Sequence, residues 1–271
     1  MKYDVVVGKP KIKENNDRER MLARGKERNN LIEIIKSEGF DVLTVNTPWP
    51  RDAFVNFKEK IIRADENGFY GNSAVVVPSG DFVIASSKVG NYRVNDSTSL
   101  RTRKLTELYG PENFHVISDG YNGNVIRRKN GIEVSRDDIV THLDLSILSV
   151  PEKKLLICDN IFYKNTNEDI DKLVKKRGLK LKLVEDTELR HFPCNALLLK
   201  KQNSIVAITG VNNFEHSLIS PILEDVGIRT IEVPFTENLK KDGGVACATN
   251  TLPKNYNGGL DFLNHRIAEL Y

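Results

Sequence analysis

Cys247 is the residue of this sequence whose surroundings best suit nucleophilic chemistry. It follows the pair Gly243 and Gly244, and its nearest neighbours on both sides are small residues. Small neighbours leave room for a substrate to reach the sulfur, and the thiolate is the nucleophilic form of cysteine. The competing interpretation is a small buried hydrophobe, which is how a free cysteine usually behaves. Cys158 and Cys194 lie in apolar or turn-like contexts that fit this second interpretation.

His142 and Asp144 are two titratable side chains within an otherwise apolar segment. The segment alternates from Thr141 onward, which predicts a β-strand with His142 and Asp144 on one face and Leu143 and Leu145 on the other. Because buried charge has to be partnered, this polar face belongs either to a reactive site or to an ordinary exposed strand face.

The segment around Trp49 combines a restricted backbone with charged side chains. Pro48 and Pro50 fix the chain on either side of Trp49, and Arg51 and Asp52 follow directly. We predict a loop after a strand, and loops carry functional residues more often than regular elements do. An ordinary surface ion pair between Arg51 and Asp52 is the competing interpretation.

A further polar segment precedes a predicted strand and is rich in turn-forming residues. It runs from Ser118 to Ile126, contains Asp119, and has two glycines and two asparagines within residues 120–124. Glycine and asparagine adopt positive φ angles more readily than other residues do. A plain turn explains this composition by itself, so any chemical role depends on the other segments.

The composition limits the class of protein. The 271 residues include 40 Lys or Arg and 37 Asp or Glu, and the formal net charge is +3. Both signs alternate along most of the chain, which is typical of solvated helix faces, so we expect no nucleic-acid partner. No apolar run approaches the ~18–20 residues of a membrane span, and the N-terminus lacks a signal-peptide core. We therefore expect no membrane association.

The cysteine count and the missing cofactor motifs narrow the class further. Three cysteines, an odd number, argue against a disulfide framework and for a reducing compartment, so we expect a cytoplasmic protein. No phosphate-binding glycine motif is present, and His191 with Cys194 lacks the second pair of ligands that a zinc site needs. We predict neither a metal nor another cofactor. The sequence leaves the oligomeric state open, a homo-oligomer included.

The predicted elements repeat in a fixed order. A strand at Tyr3–Val7, a helix at Asn16–Ser37 and a strand at Asp41–Val45 come first. A hairpin, a helix and a strand then recur three times, about 50–70 residues apart, which predicts modules that pack on their neighbours, as in a propeller. The three copies comprise Ala74–Val77, Asp81–Ala85, Ser97–Tyr109 and Phe114–Ile117; Ile147–Val150, Lys154–Cys158, Glu168–Lys176 and Lys180–Val184; and Ala196–Lys200, Ser204–Thr209, Glu215–Asp225 and Arg229–Val233. No linker divides the chain, so we predict one α/β domain over residues 1–271.

Taken in order, the polar segments resemble the guanidine-modifying superfamily, which includes arginine deiminase, agmatine deiminase, dimethylarginine dimethylaminohydrolase and the amidinotransferases. The family pattern is Arg-Asp in an early loop, Glu/Asp-Gly-Gly-Asn/Asp before a strand, His-x-Asp on a strand, and Gly-Gly-x-x-Cys near the C-terminus. The matching segments are Arg51–Asp52, Asp119–Asn124, His142–Asp144 and Gly243–Cys247. The resemblance implies the pentein fold, a fivefold pseudo-symmetric α/β-propeller of ββαβ units.

The resemblance also implies a role for each matching residue. In the family, the cysteine thiolate attacks the guanidinium carbon and forms a covalent amidino-thioether, while the histidine protonates the departing amine and then activates water. Carboxylates hold the guanidinium and orient the histidine. The residues that match are Cys247 as nucleophile, His142 as general acid and base, Asp119 as the second catalytic carboxylate, and Asp52, Asp144, Arg51 and Asn124 at the substrate.

One motif departs from the family pattern. Alignment on Gly123 and Asn124 places Tyr121 where the family has a carboxylate, whereas an insertion of Tyr121 and Asn122 keeps Asp119 in that role. We favour Asp119, because with Tyr121 in its place the usual substrate would lose an acidic partner.

We therefore expect a metal-independent hydrolase, of the deiminase or dimethylaminohydrolase type, whose partner is a small guanidino compound similar to arginine. Hydrolysis is favoured because the chain is near the size of the dimethylarginine hydrolases, and the amidinotransferases it resembles are longer. The alternatives are an amidinotransferase, a pentein that binds without turnover, and a different cysteine hydrolase such as a peptidase or amidase. Asp52 has no role in the last of these.

Overall fold

The computed structural model describes residues 4–10, 18–63, 76–86, 105–117, 127–129, 132–134, 143–185, 192–212, 215–239, 244–254, 256, 258–260 and 262–265. The chain divides into two compact units, one formed by Met1–Arg63 with Asn195–Tyr271 and the other by Ala64–Cys194. Both units combine helices with small sheets, so the predicted α/β class is confirmed.

The first unit combines segments from both ends of the chain. Its N-terminal elements are β1 (Val5–Gly8), α1 (Arg18–Ser37), β2 (Val42–Val45), a 3₁₀ turn at Pro50–Asp52, β3 (Phe54–Phe57) and β4 (Lys60–Arg63). Its C-terminal elements are β13 (Ala196–Lys201), β14 (Ser204–Val211), α4 (Ser220–Asp225), β15 (Arg229–Pro234), α5 (Thr236–Leu239), α6 (Val245–Ala248), β16 (Thr249–Thr251) and α7 (Phe262–His265).

The second unit is continuous in sequence. Its elements are β5 (Val76–Ser79), β6 (Phe82–Ser86), α2 (105–109), β7 (Phe114–Ile117), β8 (Arg127–Lys129), β9 (Ile132–Val134), 3₁₀ turns at Leu143–Leu145 and Pro151–Lys153, β10 (Ile147–Val150), β11 (Leu155–Asp159), α3 (Asn160–Arg177) and β12 (Lys180–Val184).

The sheets within the described ranges repeat one topology. Three of them have a hairpin followed by a parallel strand: β5-β6-β7, β10-β11-β12 and β13-β14-β15. This confirms the hairpins and parallel strands of the three predicted copies. Residues 97–104 of the first predicted helix lie outside the described residues. Two further sheets are two-stranded hairpins, β3-β4 and β8-β9.

A fourth sheet has the same order, but its hairpin partner comes from the far end of the sequence. In β16-β1-β2, strand β1 pairs antiparallel with β16 and parallel with β2, and α1 forms the crossover. Sequence analysis found β1, α1 and β2 but not this sheet, because β16 follows β1 by some 240 residues in the chain. The central strand of each of three sheets is buried along its whole length: β1, β6 and β11. Continuous apolar runs of this kind are typical of strands covered on both faces.

Each unit has its own apolar core. In the first unit, Val6, Val45, Phe54, Leu252 and Leu263 pack together. In the second unit, the core joins residues of its two three-stranded sheets with one face of α3; it comprises Val77, Phe82, Ile84, Ile117, Leu143, Ile147, Leu156, Cys158, Phe162, Ile170 and Leu173.

Two helices differ in length from their predictions, for reasons visible at their ends. Helix α3 was predicted over Glu168–Lys176 but begins at Asn160, because the side chain of Asp159 accepts a hydrogen bond from the Ile161 N–H (2.8 Å) and caps the first turn. It ends as predicted at Gly178, whose φ of +61° suits glycine. Helix α4 begins at Ser220 and not at Glu215, with Pro221 in its first turn.

The predicted strand across His142 and Asp144 is wrong for its described part. Residues Leu143–Leu145 form a 3₁₀ turn, closed by a hydrogen bond from the Ser146 N–H to the Leu143 carbonyl (3.0 Å). All three residues are buried, so the alternation of polar and apolar types does not reflect alternation of two faces. Within the part of the chain that the structure describes, no helix combines the length and apolar character needed to cross a bilayer.

Candidate active site

Cys247 lies on a short helix that leads directly into a strand. Helix α6 has four residues, and β16 follows it without a break and pairs with β1. The Thr249 hydroxyl donates to the Val245 carbonyl (2.9 Å), which closes the helix at its C-terminal end. Cys247 is 2% exposed, and Val245 and Ala248 are fully buried. The thiol therefore lies on a buried element of the first unit.

Asn195 holds this helix with both ends of its side-chain amide. Its Nδ2 donates to Cys247 Sγ (3.3 Å), and its Oδ1 accepts from the Ala246 N–H (2.8 Å). Asn195 immediately precedes β13 and is 5% exposed. The amide thus fixes the position of the sulfur relative to the backbone of its own helix.

Gly244 leaves the space that the Asn195 amide occupies. A Cβ placed on Gly244 would lie 2.7 Å from Asn195 Cγ and 3.1 Å from Asn195 Cβ, and closer still to Oδ1. The backbone of Gly244 is extended (φ −91°, ψ −169°), which any residue can adopt. Glycine is required here by the close approach of a side chain and not by its backbone angles.

The Arg51–Asp52 segment forms a turn that packs against the Cys247 helix. The Asp52 and Ala53 N–H groups donate to the Trp49 and Pro50 carbonyls, which makes a 3₁₀ turn, and α6 contacts this turn. Asp52 is 1% exposed and Arg51 9%. The surface ion pair considered from the sequence is therefore wrong for this segment, because both side chains are buried.

Asn250 links the two segments. It lies on β16, three residues after Cys247, and its Nδ2 donates to the Phe54 carbonyl (2.8 Å) and to the Pro50 carbonyl (3.3 Å). The turn that carries Asp52 is therefore tied to the strand that continues the helix of Cys247.

Arg28 of α1 places a buried positive charge beside the same turn. Its Nη1 donates to the Gly8 carbonyl (2.7 Å) and the Pro48 carbonyl (2.8 Å), and its Nε donates to Asn238 Oδ1 (2.9 Å). Its guanidinium lies 4.7 Å from the centre of the Trp49 ring, within cation–π range. All three hydrogen-bond acceptors of Arg28 are neutral groups.

Burial determines the electrostatics of Arg28. It lowers the pKa of Arg28 to about 9, and the charge of Cys247 is the largest influence in the opposite direction. The interaction is mutual, so a positive Arg28 stabilises the anionic form of the Cys247 sulfur. The buried cation therefore provides part of the electropositive environment that a nucleophilic cysteine needs.

The structure brings together three of the residues that the sequence predicts for the site: Cys247, Asp52 and Arg51. Asp144 belongs to the second unit, where it is 6% exposed in the turn Leu143–Leu145. The other predicted site residues, which are His142, Asp119 and Asn124, lie outside the described residues, as do Tyr121 and Gly243.

The other two cysteines are buried thiols in the second unit. Burial raises the pKa of Cys158 and of Cys194, which keeps both in the neutral, unreactive form. Cys194 Sγ donates a weak hydrogen bond to the Ile157 carbonyl (3.8 Å). Their prediction as small buried hydrophobes is confirmed. None of the three cysteines forms a disulfide bond, and no group of three metal-ligating side chains occurs among the residues that the structure describes.

Sequence analysis missed two residues of this site, Asn195 and Arg28. Asn195 stands just before an apolar strand, where asparagine normally indicates a turn. Arg28 lies among the charged residues of α1, where an arginine is normally solvated. Neither has a local sequence signal, because the partners of each lie at least 20 residues away in the chain.

No protein-family model matches the sequence, and no curated protein matches it, but solved structures do. The N-terminal domain of ArgZ, an arginine dihydrolase from the ornithine–ammonia cycle in cyanobacteria, is similar over 93% of this chain and 98% of its own (15% identity, TM-score 0.61). This chain spans 40% of full-length ArgZ. SxtG, an amidinotransferase from Microseira wollei, is similar over 96% of this chain and 97% of its own (15% identity, TM-score 0.62).

A dimethylarginine dimethylaminohydrolase from Pseudomonas aeruginosa, in complex with citrulline, is similar over 93% of this chain and 100% of its own (11% identity, TM-score 0.59). Similarity at this level of identity establishes the fold. The predicted resemblance to these enzymes is therefore confirmed for the fold, by structures that cover nearly the whole chain. A dihydrolase, a dimethylaminohydrolase and an amidinotransferase share this fold, so the fold accommodates both hydrolysis and amidino transfer.

Proposed function

We propose that this chain is an enzyme that hydrolyses a C–N bond in the guanidino group of an arginine-like small molecule, with Cys247 as the nucleophile. The observation that carries the proposal is a buried thiol on α6 packed against the turn that contains the buried carboxylate of Asp52. A thiolate and a carboxylate in neighbouring segments favour the binding of a cation in addition to the buried Arg28. A guanidinium supplies that cation, and its edge N–H groups match a carboxylate. The fold shared with enzymes of guanidino compounds supports the same substrate class.

The proposed reaction has two halves. The Cys247 thiolate attacks the guanidinium carbon, a C–S bond forms, and the C–N bond to the departing amine breaks as His142 gives the amine a proton. Water, deprotonated by His142, then attacks the amidino-thioether carbon, and the C–S bond breaks to release a ureido product and the thiolate. Asp52 and Asp144 accept hydrogen bonds from the guanidinium, Asp119 orients the histidine, and Arg51 and Asn124 contact the remainder of the substrate.

The architecture proposed for this enzyme is a single pentein-type domain, residues 1–271, arranged as a propeller with fivefold pseudo-symmetry. Four sheets of identical strand order support it, because a propeller is built from such repeats. A crystal structure of the whole chain tests it, and an open arrangement of the sheets would contradict it.

Turnover of defined guanidino compounds tests the proposed function. The purified chain is incubated separately with arginine, agmatine and dimethylarginine, and the released ammonia or amine and the ureido product are quantified by mass spectrometry. We expect turnover of at least one compound, its loss in Cys247→Ala, and its retention in Cys158→Ala, which removes a buried thiol from the second unit. Unchanged turnover in Cys247→Ala would refute Cys247 as nucleophile.

A second reaction, amidino transfer, is supported by the similarity to SxtG over nearly the whole of both chains. In this reaction an amine replaces water in the second half and yields a new guanidino compound. Adding glycine or ornithine to the assay distinguishes the two reactions, because transfer forms a guanidino product from the added amine. No turnover with any donor, together with binding of a guanidino compound, would favour a pentein that binds without catalysis.

A further inference from the structure

The amide of Asn195 has only one orientation compatible with its neighbours. The Ala246 N–H can only donate, so the atom 2.8 Å from it is the acceptor Oδ1. The other end of the amide is therefore the donor Nδ2, which faces Cys247 Sγ at 3.3 Å. An N–H donor bonds a negatively charged sulfur more strongly than a neutral thiol.

The surroundings hold this donor in place. Ala196, the next residue, begins β13 and pairs with Thr209 of β14, so the backbone beside Asn195 belongs to a three-stranded sheet. Gly244 has no side chain, and this leaves room for the amide to lie against α6, because a Cβ there would lie 2.7 Å from Asn195 Cγ. A buried, pre-oriented donor of this kind costs little reorganisation when charge develops on its partner.

We propose that Asn195 is a catalytic residue, whose Nδ2–H stabilises the Cys247 thiolate both as the attacking nucleophile and as the leaving group of the second half-reaction. The role in turnover rests on the proposed function. No bond to Asn195 forms or breaks and it exchanges no proton. Its hydrogen bond to sulfur weakens as the C–S bond forms and is restored as that bond breaks. Arg28 contributes a second, more distant stabilisation of the same charge.

The test measures thiolate formation without any guanidino substrate. The far-ultraviolet absorbance of the thiolate is titrated with pH in the intact chain, and the Cys247→Ala trace is subtracted to remove the other two cysteines. In Asn195→Ala we expect the pH midpoint to rise by about one unit, the shift that loss of one charge-assisted hydrogen bond produces. The control is Asn165→Ala, which removes a part-buried amide of the second unit whose Nδ2 donates to the Ile161 carbonyl and not to sulfur. It should leave the midpoint in place.

Asn195→Asp distinguishes the hydrogen bond to Cys247 Sγ from the hydrogen bond that Asn195 accepts from the Ala246 N–H of the same helix. Aspartate keeps an oxygen for the Ala246 N–H but replaces the donor with an acceptor that repels a thiolate, so the midpoint should rise at least as far as in Asn195→Ala. If turnover is found, both variants should lower kcat at least about tenfold with a smaller change in KM. An Asn195→Asp midpoint equal to that of the unmodified chain would overturn the proposal, as would equal shifts in Asn195→Ala and Asn165→Ala. Because the titration needs no substrate, absence of turnover contradicts the proposed function and leaves the shift itself measurable.

Discussion

Gly244→Ala is the substitution whose consequence the structure defines most directly. Its new Cβ would lie 2.7 Å from Asn195 Cγ, a separation that real Cβ contacts essentially never show. Because the clash falls on the amide group, the amide must rotate away from α6. Rotation breaks the hydrogen bonds that Asn195 makes with the Ala246 N–H and with Cys247 Sγ.

The size of the effect follows from these two consequences. Overpacking of a tight site costs about 1–3 kcal/mol, and each lost hydrogen bond adds about 1 kcal/mol. We therefore expect Gly244→Ala to lower the free energy of unfolding by about 3–5 kcal/mol. With Asn195→Ala in the same chain, the nearest remaining atom is Asn195 Cβ at 3.1 Å, which a small shift can relieve. The double variant should then be only slightly less stable than Asn195→Ala alone, with a coupling of about 2–4 kcal/mol.

Urea unfolding of the four chains, followed by circular dichroism, measures this coupling. Gly25→Ala is the matched control, because Gly25 lies in α1 and a Cβ there meets nothing within 4 Å. It should be neutral or stabilising, by up to about 1 kcal/mol, as expected for glycine replaced by alanine in a helix. If the costs of Gly244→Ala and Asn195→Ala simply add, the contact between the two residues is not what requires glycine, and the reasoning fails.

Three further predictions concern other described residues. Gly178→Ala should lower the free energy of unfolding, measured in urea, by about 1 kcal/mol, because the φ of +61° at the end of α3 is strained for any residue with a side chain. An unchanged free energy of unfolding would contradict this. His115 accepts a hydrogen bond from Arg177 Nε, and burial together with the Arg177 charge lowers the pKa of His115 from 6.5 to about 4. Between pH 6.5 and 4 the unfolded chain therefore binds more protons at His115 than the folded chain does, so the free energy of unfolding should fall as the pH drops over this range. In unfolding experiments at a series of pH values, His115→Gln should reduce this dependence on pH. An unchanged dependence would assign it to other groups. Arg28→Met should lower the unfolding free energy by about 2–4 kcal/mol, since two buried acceptors and one part-buried acceptor lose their donor. A change within about 0.5 kcal/mol would show that those bonds contribute nothing net.

The repeated topology could be predicted from sequence because the strands and the helix of each copy follow one another directly in the chain. The hairpins β10-β11 and β13-β14 pair residues that lie close together in the chain, and an amphipathic helix leads to each parallel strand. Gly178 marked the end of α3 correctly for the same reason. The sheet of β1, β2 and β16 was only half predicted, because no local pattern indicates that Val5 pairs with Thr251.

The candidate site, too, could be predicted only where its residues lie in a local sequence motif. Cys247 and Asp52 could be proposed from sequence, since each stands in a short segment whose residue types resemble a family motif. Asn195 could not, because its importance lies in a contact with a residue 52 positions away. For Asp144 the local sequence pattern was misleading. The alternation of polar and apolar residues predicted a strand, but Leu143–Leu145 form a 3₁₀ turn in which all three residues are buried.

Strand β1 explains how the separate segments of the first unit form one site. It pairs with β16, the strand that continues the helix of Cys247, and its last residue, Gly8, gives its carbonyl to Arg28. Gly8 also has no room for a side chain, since a Cβ there would lie 2.6 Å from the Pro48 carbonyl oxygen. Arg28 bonds that same carbonyl, two residues before the turn of Asp52 begins. Cys247, the turn of Asp52 and the Arg28 cation are thus fixed relative to one fully buried strand. A change in α1 that moves Arg28 should therefore alter the reactivity of Cys247 although the two residues are far apart in sequence.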